Sequence, residues 1–193
     1  MDNSAAEIRY SHRAKPYSSH IDFTLDAKSL TAEKGRSNKT YPLDKIERIR
    51  LSYTPKNICR LTFLCEVIAT DGQSVRFDNL DWKSLVAVER ENAAFRAFVT
   101  ALVTRAKAAN QQIRLEAGCN RLRYRFTQVI GFGLIGALGL TGLYAAGQAQ
   151  VVVAGGAFAL AVYLLIWLRE FLGRNRPRPF EAEAIPDNLL PPL

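Results

Sequence analysis

The chain has 193 residues, enough for one ordinary domain and an appendage, and 48% of them are hydrophobic. Its 26 Lys+Arg against 18 Asp+Glu give a formal net charge of +8, split as 19 basic and 14 acidic in residues 1–120 and 7 and 4 thereafter. No dense basic run occurs, which argues against a nucleic-acid partner, and three cysteines (Cys59, Cys65, Cys119) without a CxxC pair argue against a disulfide framework or a zinc site.

Residues 1–19 are polar, contain Pro16, and read as a flexible lead without the apolar core of a signal peptide. The two histidines, His12 and His20, lie in or beside this lead, away from any cysteine, so neither a metal site nor a cofactor is expected. From His20 the pattern changes. Ile21, Phe23 and Leu25 alternate with Asp22, Thr24 and Asp26, the period of a half-buried strand. Ser29 to Glu33 gives a second strand and Gly35-Arg36-Ser37-Asn38 a turn. The stretch Thr40 to Tyr53 predicts a helical turn around Asp44–Glu47, then a strand carrying Ile49, Leu51 and Tyr53. Ile58 to Ala69 is rich in strand formers, Asp71-Gly72 signals a hairpin, and Ser74 to Phe77 is its returning arm. Asp78 and Asp81 suit turn and cap roles. Phe95, Phe98, Val99, Leu102 and Ala106 mark one face of an amphipathic helix, and Ile113 to Glu116 predicts a last short strand. These elements make residues 20–117 an α+β domain.

A basic linker, 118–125, leads to two uncharged apolar runs, 126–146 and 151–168, within a hairpin spanning 126–172. The first run is long enough, at about 30 Å, to cross the hydrocarbon core of a bilayer. The turn Gly147-Gln148-Ala149-Gln150 makes the two helices antiparallel neighbours, with Tyr124, Tyr163 and Trp167 near the interfaces. Gly133, Gly136, Gly139 and Gly142, with Ala157 and Ala161, are the expected packing residues, since small side chains let membrane helices approach. Arg121, Arg123 and Arg125 precede the first helix, and Arg169, Arg174, Arg176 and Arg178 lie at the end of the second or beyond it, while the turn is uncharged. The positive-inside rule puts both flanks in the cytoplasm. No Asp, Glu, Lys, Arg or His lies within either run, which argues against a proton or ion relay. The tail, 173–193, is rich in proline, and Ile185, Leu189, Leu190 and Leu193 give it apolar side chains to bury.

The strand His20–Asp26, the segment Tyr41-Pro42-Leu43-Asp44-Lys45-Ile46-Glu47-Arg48-Ile49, the Asp71-Gly72 hairpin and the helix around Phe95–Ala106 together resemble the pleckstrin-homology-like (PH-like) domains of bacterial membrane proteins, over residues 18–110. The resemblance implies an antiparallel barrel or sheet of seven strands closed by a carboxyl-terminal helix, and a place in a bacterial inner membrane. In eukaryotic relatives the loop between the first two strands binds lipid. Here that turn is the short Asp26-Ala27-Lys28-Ser29, so the basic turn formed by Lys34, Arg36 and Lys39 is the candidate for lipid headgroup contact instead.

No GxSxG, P-loop or GxGxxG motif occurs, and no nucleophile–base pair stands out. The expected function is therefore a membrane-anchored, non-enzymatic binding module, an adaptor or an accessory or assembly subunit at the cytoplasmic face. Its partner is a membrane-embedded or cytoplasmic protein, with self-association left open. The alternatives are anionic-lipid binding by the cytoplasmic domain, and an enzyme without a recognisable motif.

Overall fold

The computed structural model describes residues 6–54, 62–85 and 87–192. The chain divides into two units, one of Met1–Gly118 with Arg178–Leu193 and one of Cys119–Pro177.

The first unit begins with a meander of four antiparallel strands: β1 (Ile8–His12), β2 (Ile21–Leu25), β3 (Ser29–Lys34) and β4 (Ser37–Pro42). The 1–19 lead is thus not loose throughout. Ile8–His12 pairs with β2 in register from Ile8↔Leu25 to His12↔Ile21, and its Tyr10 and His12 are buried. An Ile-Arg-Tyr-Ser-His run is short and mostly polar, and what holds it is a tertiary contact. The Tyr10 ring packs on Phe23, Phe77, Phe95 and Phe98, and its hydroxyl donates to the Asp78 carbonyl at 2.6 Å.

A short 3-10 turn (Leu43–Lys45) leads into β5 (Ile46–Tyr53). Strand β5 pairs antiparallel with β6 (Phe63–Ala69), and β6 with β7 (Ser74–Asp78). A register shift between Ile46 and Arg48 lets Ile46 and Ile49, three apart, both face the core, the spacing that reads as helical in sequence. The expected strand start at Ile58, and Cys59 with it, lies outside the described residues. A two-stranded ladder follows, β8 (Leu80–Trp82) with β9 (Val88–Arg90).

Helix α1 (Asn92–Ala109) buries Phe95, Phe98, Val99, Leu102, Val103 and Ala106, the i, i+3, i+4 stripe that its sequence announces. Each large apolar side chain so buried stabilises the fold by about 1.5–3 kcal/mol. Arg105 ties the helix to the first sheet by donating to the carbonyls of Leu25 (2.9 Å) and Ala6 (2.8 Å). Strand β10 (Arg114–Ala117) then joins the second sheet beside β5, and this pair is parallel. The parallel pair departs from the expected all-antiparallel arrangement. Its reason is connectivity: α1 crosses over between β7 and β10, and a crossover permits parallel pairing. Among the described residues neither sheet closes on itself, so of the expected barrel or sheet the α+β domain has open sheets.

The chain returns to this unit after the hairpin. Strand β11 (Arg178–Pro179) pairs with β10, giving the sheet order β11-β10-β5-β6-β7. The tail buries Leu189 and Leu190 in the same core as Phe23 and Leu102, with Phe180, Ala182 and Ile185 packed at its margin. Arg96 donates to the Pro191 carbonyl and pairs with Asp187, and Asn92 donates to the Pro192 carbonyl. The proline-rich tail is therefore a structural part of the domain.

The second unit is a helical hairpin of α2 (Arg121–Gly147) and α3 (Val151–Arg174). The stretch expected as a linker, 118–125, mostly forms the first turns of α2. Asn120 caps this helix by accepting from the Leu122 amide at 3.1 Å. Both helices are long and apolar enough to cross a membrane.

Candidate functional site

The outer face of the β1–β4 sheet forms a groove of about 850 Å3 in the first unit. Alternation along each strand sends Tyr10, Phe23, Leu30 and Tyr41 inward and their neighbours outward. Register then sets the outer residues in two rows. One runs Arg9–Thr24–Thr31–Thr40 and the other Ser11–Asp22–Glu33–Asn38. Asp22 stands directly opposite Glu33, a like-charge pairing that costs stability where nothing cationic lies between. Asn38 donates to Glu33 at 3.3 Å, which relieves one oxygen, and Arg9 is held by Glu7 at 2.7 Å. With Glu7 and Asp26 also lining it, the groove sets four carboxylates against one guanidinium. It is an anionic trough on an otherwise basic chain.

The outer face of the second sheet is different, because its charges are already matched. Arg76, Glu66, Arg50 and Glu116 sit side by side on β7, β6, β5 and β10. Arg76 reaches Glu66 at 2.7 Å, and Arg50 reaches Glu66 at 3.4 Å and Glu116 at 2.6 Å. This row stabilises the sheet and offers a ligand little unpaired charge.

Two constellations resemble chemistry. Asp81, Glu89 and Glu91 bring carboxylate oxygens within 4.8 Å of one another. Lys83 answers them directly, its ammonium 2.6 Å from Asp81 and 3.2 Å from Glu89, and the Arg13 amide donates to Asp81 at 2.8 Å. Burial pushes the Asp81 carboxyl up, but Lys83 and the Arg13 amide outweigh it and hold the group below its ordinary value. Asp78 takes the expected turn role, its carboxylate accepting from the Leu80 amide at 3.1 Å, whereas Asp81 lies within β8 and binds the distant Arg13 amide instead of capping a turn.

The second constellation has no counterpart in the sequence analysis. Ser11 Oγ lies 3.4 Å from His20 Nδ1, a pair created by β1–β2 register. The contact is long and exposed, and both oxygens of the buried Asp81 carboxylate are engaged by the Arg13 amide and Lys83. It lacks the oriented third group of a nucleophilic site. Cys65 is buried, and that burial raises its thiol far above the reactive range.

Lys34, Arg36 and Lys39 surround the β3–β4 turn and are exposed. Lys39 pairs with Ala32 and Lys34 with Ser37, so both lysines project from the same face of this hairpin. Among the described residues none of the three has a carboxylate partner.

In the second unit the helices meet along Tyr124, Gln128, Gly131, Ile135, Leu138, Gly142 and Ala145 of α2 and Ala154, Ala157, Ala161, Leu164, Leu168 and Phe171 of α3. Both sets alternate steps of three and four, the spacing of a left-handed packed pair. Of the expected packing residues, Gly142, Ala157 and Ala161 lie in this seam. A Cβ on Gly142 would stand 3.0 Å from the Phe158 ring. Gly133, Gly136 and Gly139 do not pack there, and nothing lies within 4 Å of where their Cβ would be. Steps of three drift around a helix, whereas the seam needs steps averaging three and a half. Gly131, whose Cβ would stand 2.6 Å from Leu168, is the close approach that the every-third pattern leaves out.

Arg121, Arg123 and Arg125 in α2 and Arg169 and Arg174 in α3 share one end of this antiparallel hairpin, with Arg176 just beyond. Arg174 pairs with Glu170 at 3.3 Å. Arg121, Arg125 and Arg176 line a cleft of about 580 Å3 with Leu122, Tyr124 and Pro177. Arg178 belongs to the first unit, where its guanidinium donates to Asn188 at 2.9 Å.

Comparison with known protein families, with curated proteins and with solved structures finds no match to this chain.

Proposed function

We propose that this chain is a membrane-anchored, non-enzymatic binding module. Its PH-like domain recognises a protein partner at the cytoplasmic face of a bacterial inner membrane. The observation that carries the reading is the exposure of the hairpin. Only 11% of the apolar stretch of α2 and 22% of that of α3 is buried, so Val129, Phe132, Leu140, Val152 and Ile166 would meet water if the chain were soluble. A bilayer supplies the missing cover.

Seven antiparallel strands split four and three, then a helix, support the PH-like reading; the β8–β9 ladder, β10 and β11 are additions to it. The anionic trough over β1–β4 is the proposed partner surface, suited to a cationic segment of an adaptor's client or of a membrane complex. The engaged state of Asp81, the isolated Ser11–His20 pair and the buried Cys65 support a role in binding over catalysis.

Alkaline extraction of membranes tests the anchor, and release of the chain into the supernatant overturns it. A reporter fused after Leu193 tests orientation, with activity expected on the cytoplasmic side. Co-purification in mild detergent with mass spectrometry tests the partner. A reproducible partner that is lost from Asp22→Asn/Glu33→Gln supports the reading, and recovery of the protein alone opposes it.

A second reading rests on Lys34, Arg36 and Lys39. Three exposed cations, without carboxylate partners among the described residues, at one turn suit an anionic leaflet, each contributing about 1 kcal/mol near its surface. Flotation of the full chain in vesicles with and without anionic lipid, and with the three charges reversed, distinguishes the two.

A further inference from the structure

The basic end of the hairpin holds an arrangement that topology alone does not require. Arg121, Arg123 and Arg125 occupy the first five residues of α2, whose first turn carries no acid. The start of a helix bears partial positive charge from its free amides, so arginines there are electrostatically unfavourable unless an anion joins them. Two of the three, with Arg176 from beyond α3, are gathered around the 580 Å3 cleft, and its lining includes no carboxylate. Tyr124 adds a phenol, and Leu122 and Pro177 make the remaining wall apolar.

The same face of α2 continues toward the turn as Leu122, Arg125, Val129, Phe132, Gly136 and Leu140, in steps of three and four. It is not the seam face, and Val129, Phe132 and Leu140 are exposed along it. Gly136, and Gly133 and Gly139 to either side, have nothing within 4 Å of their missing Cβ, so a shallow notch runs between Phe132 and Leu140. A cationic cleft at one level with an apolar, notched track leading from it has the chemistry of an amphiphile with an anionic head.

We propose that Arg121, Arg125 and Arg176 bind the phosphate of an anionic membrane phospholipid whose acyl chain lies along Val129, Phe132, Gly136 and Leu140. The site rests on the membrane reading of the hairpin and goes beyond it. It assigns a bound lipid to residues that otherwise only orient the chain, and it gives the glycines outside the seam a role. Guanidinium groups suit this task because their planar fork matches two phosphate oxygens.

The test uses the full chain, purified in a neutral detergent and delipidated, with native mass spectrometry against phosphatidylglycerol, phosphatidylcholine and glycerol 3-phosphate. Phosphatidylglycerol should be retained at least about tenfold better than phosphatidylcholine, since each of the three arginines near an anionic group accounts for up to about fivefold in binding. Arg121→Gln/Arg125→Gln/Arg176→Gln should lose that preference. Arg123→Gln/Arg169→Gln, which removes two charges from the same end, should keep it. Gly136→Leu should weaken retention without any change of charge. Equal retention of the two lipids, equal loss in the two charge variants, or displacement of phosphatidylglycerol by an equal concentration of glycerol 3-phosphate would overturn the site. Alkaline extraction reports on the anchor separately: a chain that stays with membranes but shows no lipid preference refutes the site alone, and a chain released by alkali refutes the membrane reading on which it rests.

Discussion

Arg50 and Glu116 face each other across the parallel pair β5–β10, with Nη2 2.6 Å from a carboxylate oxygen. Arg50 also reaches Glu66 on its other side, and both acids are largely or half shielded from water. The guanidinium therefore joins the strand added after α1 to the β5–β7 meander. Replacing it with alanine removes the cation between Glu66, which keeps Arg76, and Glu116, which keeps only the longer contact to Arg48 at 3.6 Å. Arg50→Ala should destabilise the first unit by about 2 kcal/mol, less than a fully buried pair because Glu116 is partly solvated. Urea denaturation in mild detergent measures this, and Arg50→Ala/Glu66→Gln/Glu116→Gln should recover part of the loss.

The tail is the second place where a distant segment completes the core. Leu189 is 1% exposed and Leu190 4%. Leu189→Ala should cost about 2–4 kcal/mol through lost burial and the cavity left behind. Removing residues 180–193 should do more, exposing Leu102 and its neighbours. Limited proteolysis checks both, with faster cleavage within Met1–Gly118 expected for each variant.

The Asp81 ion pair predicts a pH dependence with a definite sign. Its carboxyl titrates lower in the folded chain than in the unfolded one, where the value is about 3.9. The stability it contributes is therefore present above pH ~4 and lost as pH falls through the lower folded value. Asp81→Asn should have a smaller drop in stability than the parent between pH 5 and acid pH, read from urea midpoints. An identical drop in both proteins would remove Asp81 from the explanation.

The hairpin seam separates two kinds of glycine. Gly131→Leu and Gly142→Leu place side chains where Leu168 and Phe158 already stand, so they should lower the melting temperature in detergent by several degrees. Gly133→Leu points into open space and should leave it nearly unchanged. Melting followed by circular dichroism at helical wavelengths distinguishes these outcomes.

Burial that raises the Cys65 thiol makes it unreactive in the native chain. Iodoacetamide at pH 8 should leave the Cys65 peptide unmodified until urea unfolds the domain, as followed by peptide mass mapping.

Much of this was legible in the residues themselves. Alternation at Ile21, Phe23 and Leu25 defined β2, the Asp71-Gly72 pair set the β6–β7 hairpin, and the Phe95-to-Ala106 stripe defined the buried face of α1. These signals are local: a period of two or near four, or a residue that tolerates a positive φ, acts within a few positions of itself. The two long uncharged runs were equally plain, because the length that spans a bilayer is counted along the chain.

What the tertiary structure decided depends on pairs far apart in sequence. Ile8–His12 is a strand because Phe98 and Phe77 bury Tyr10, and the tail is part of the core because α1 presents Arg96 and Asn92 to it. The parallel β5–β10 pair, the Asp22–Glu33 opposition and the Ser11–His20 contact all arise from register between strands, which no periodicity in a single strand reports. The same holds for the glycines of α2. Composition marked them as small, but only the position of α3 divided them into those that touch a neighbour and those that leave a notch open.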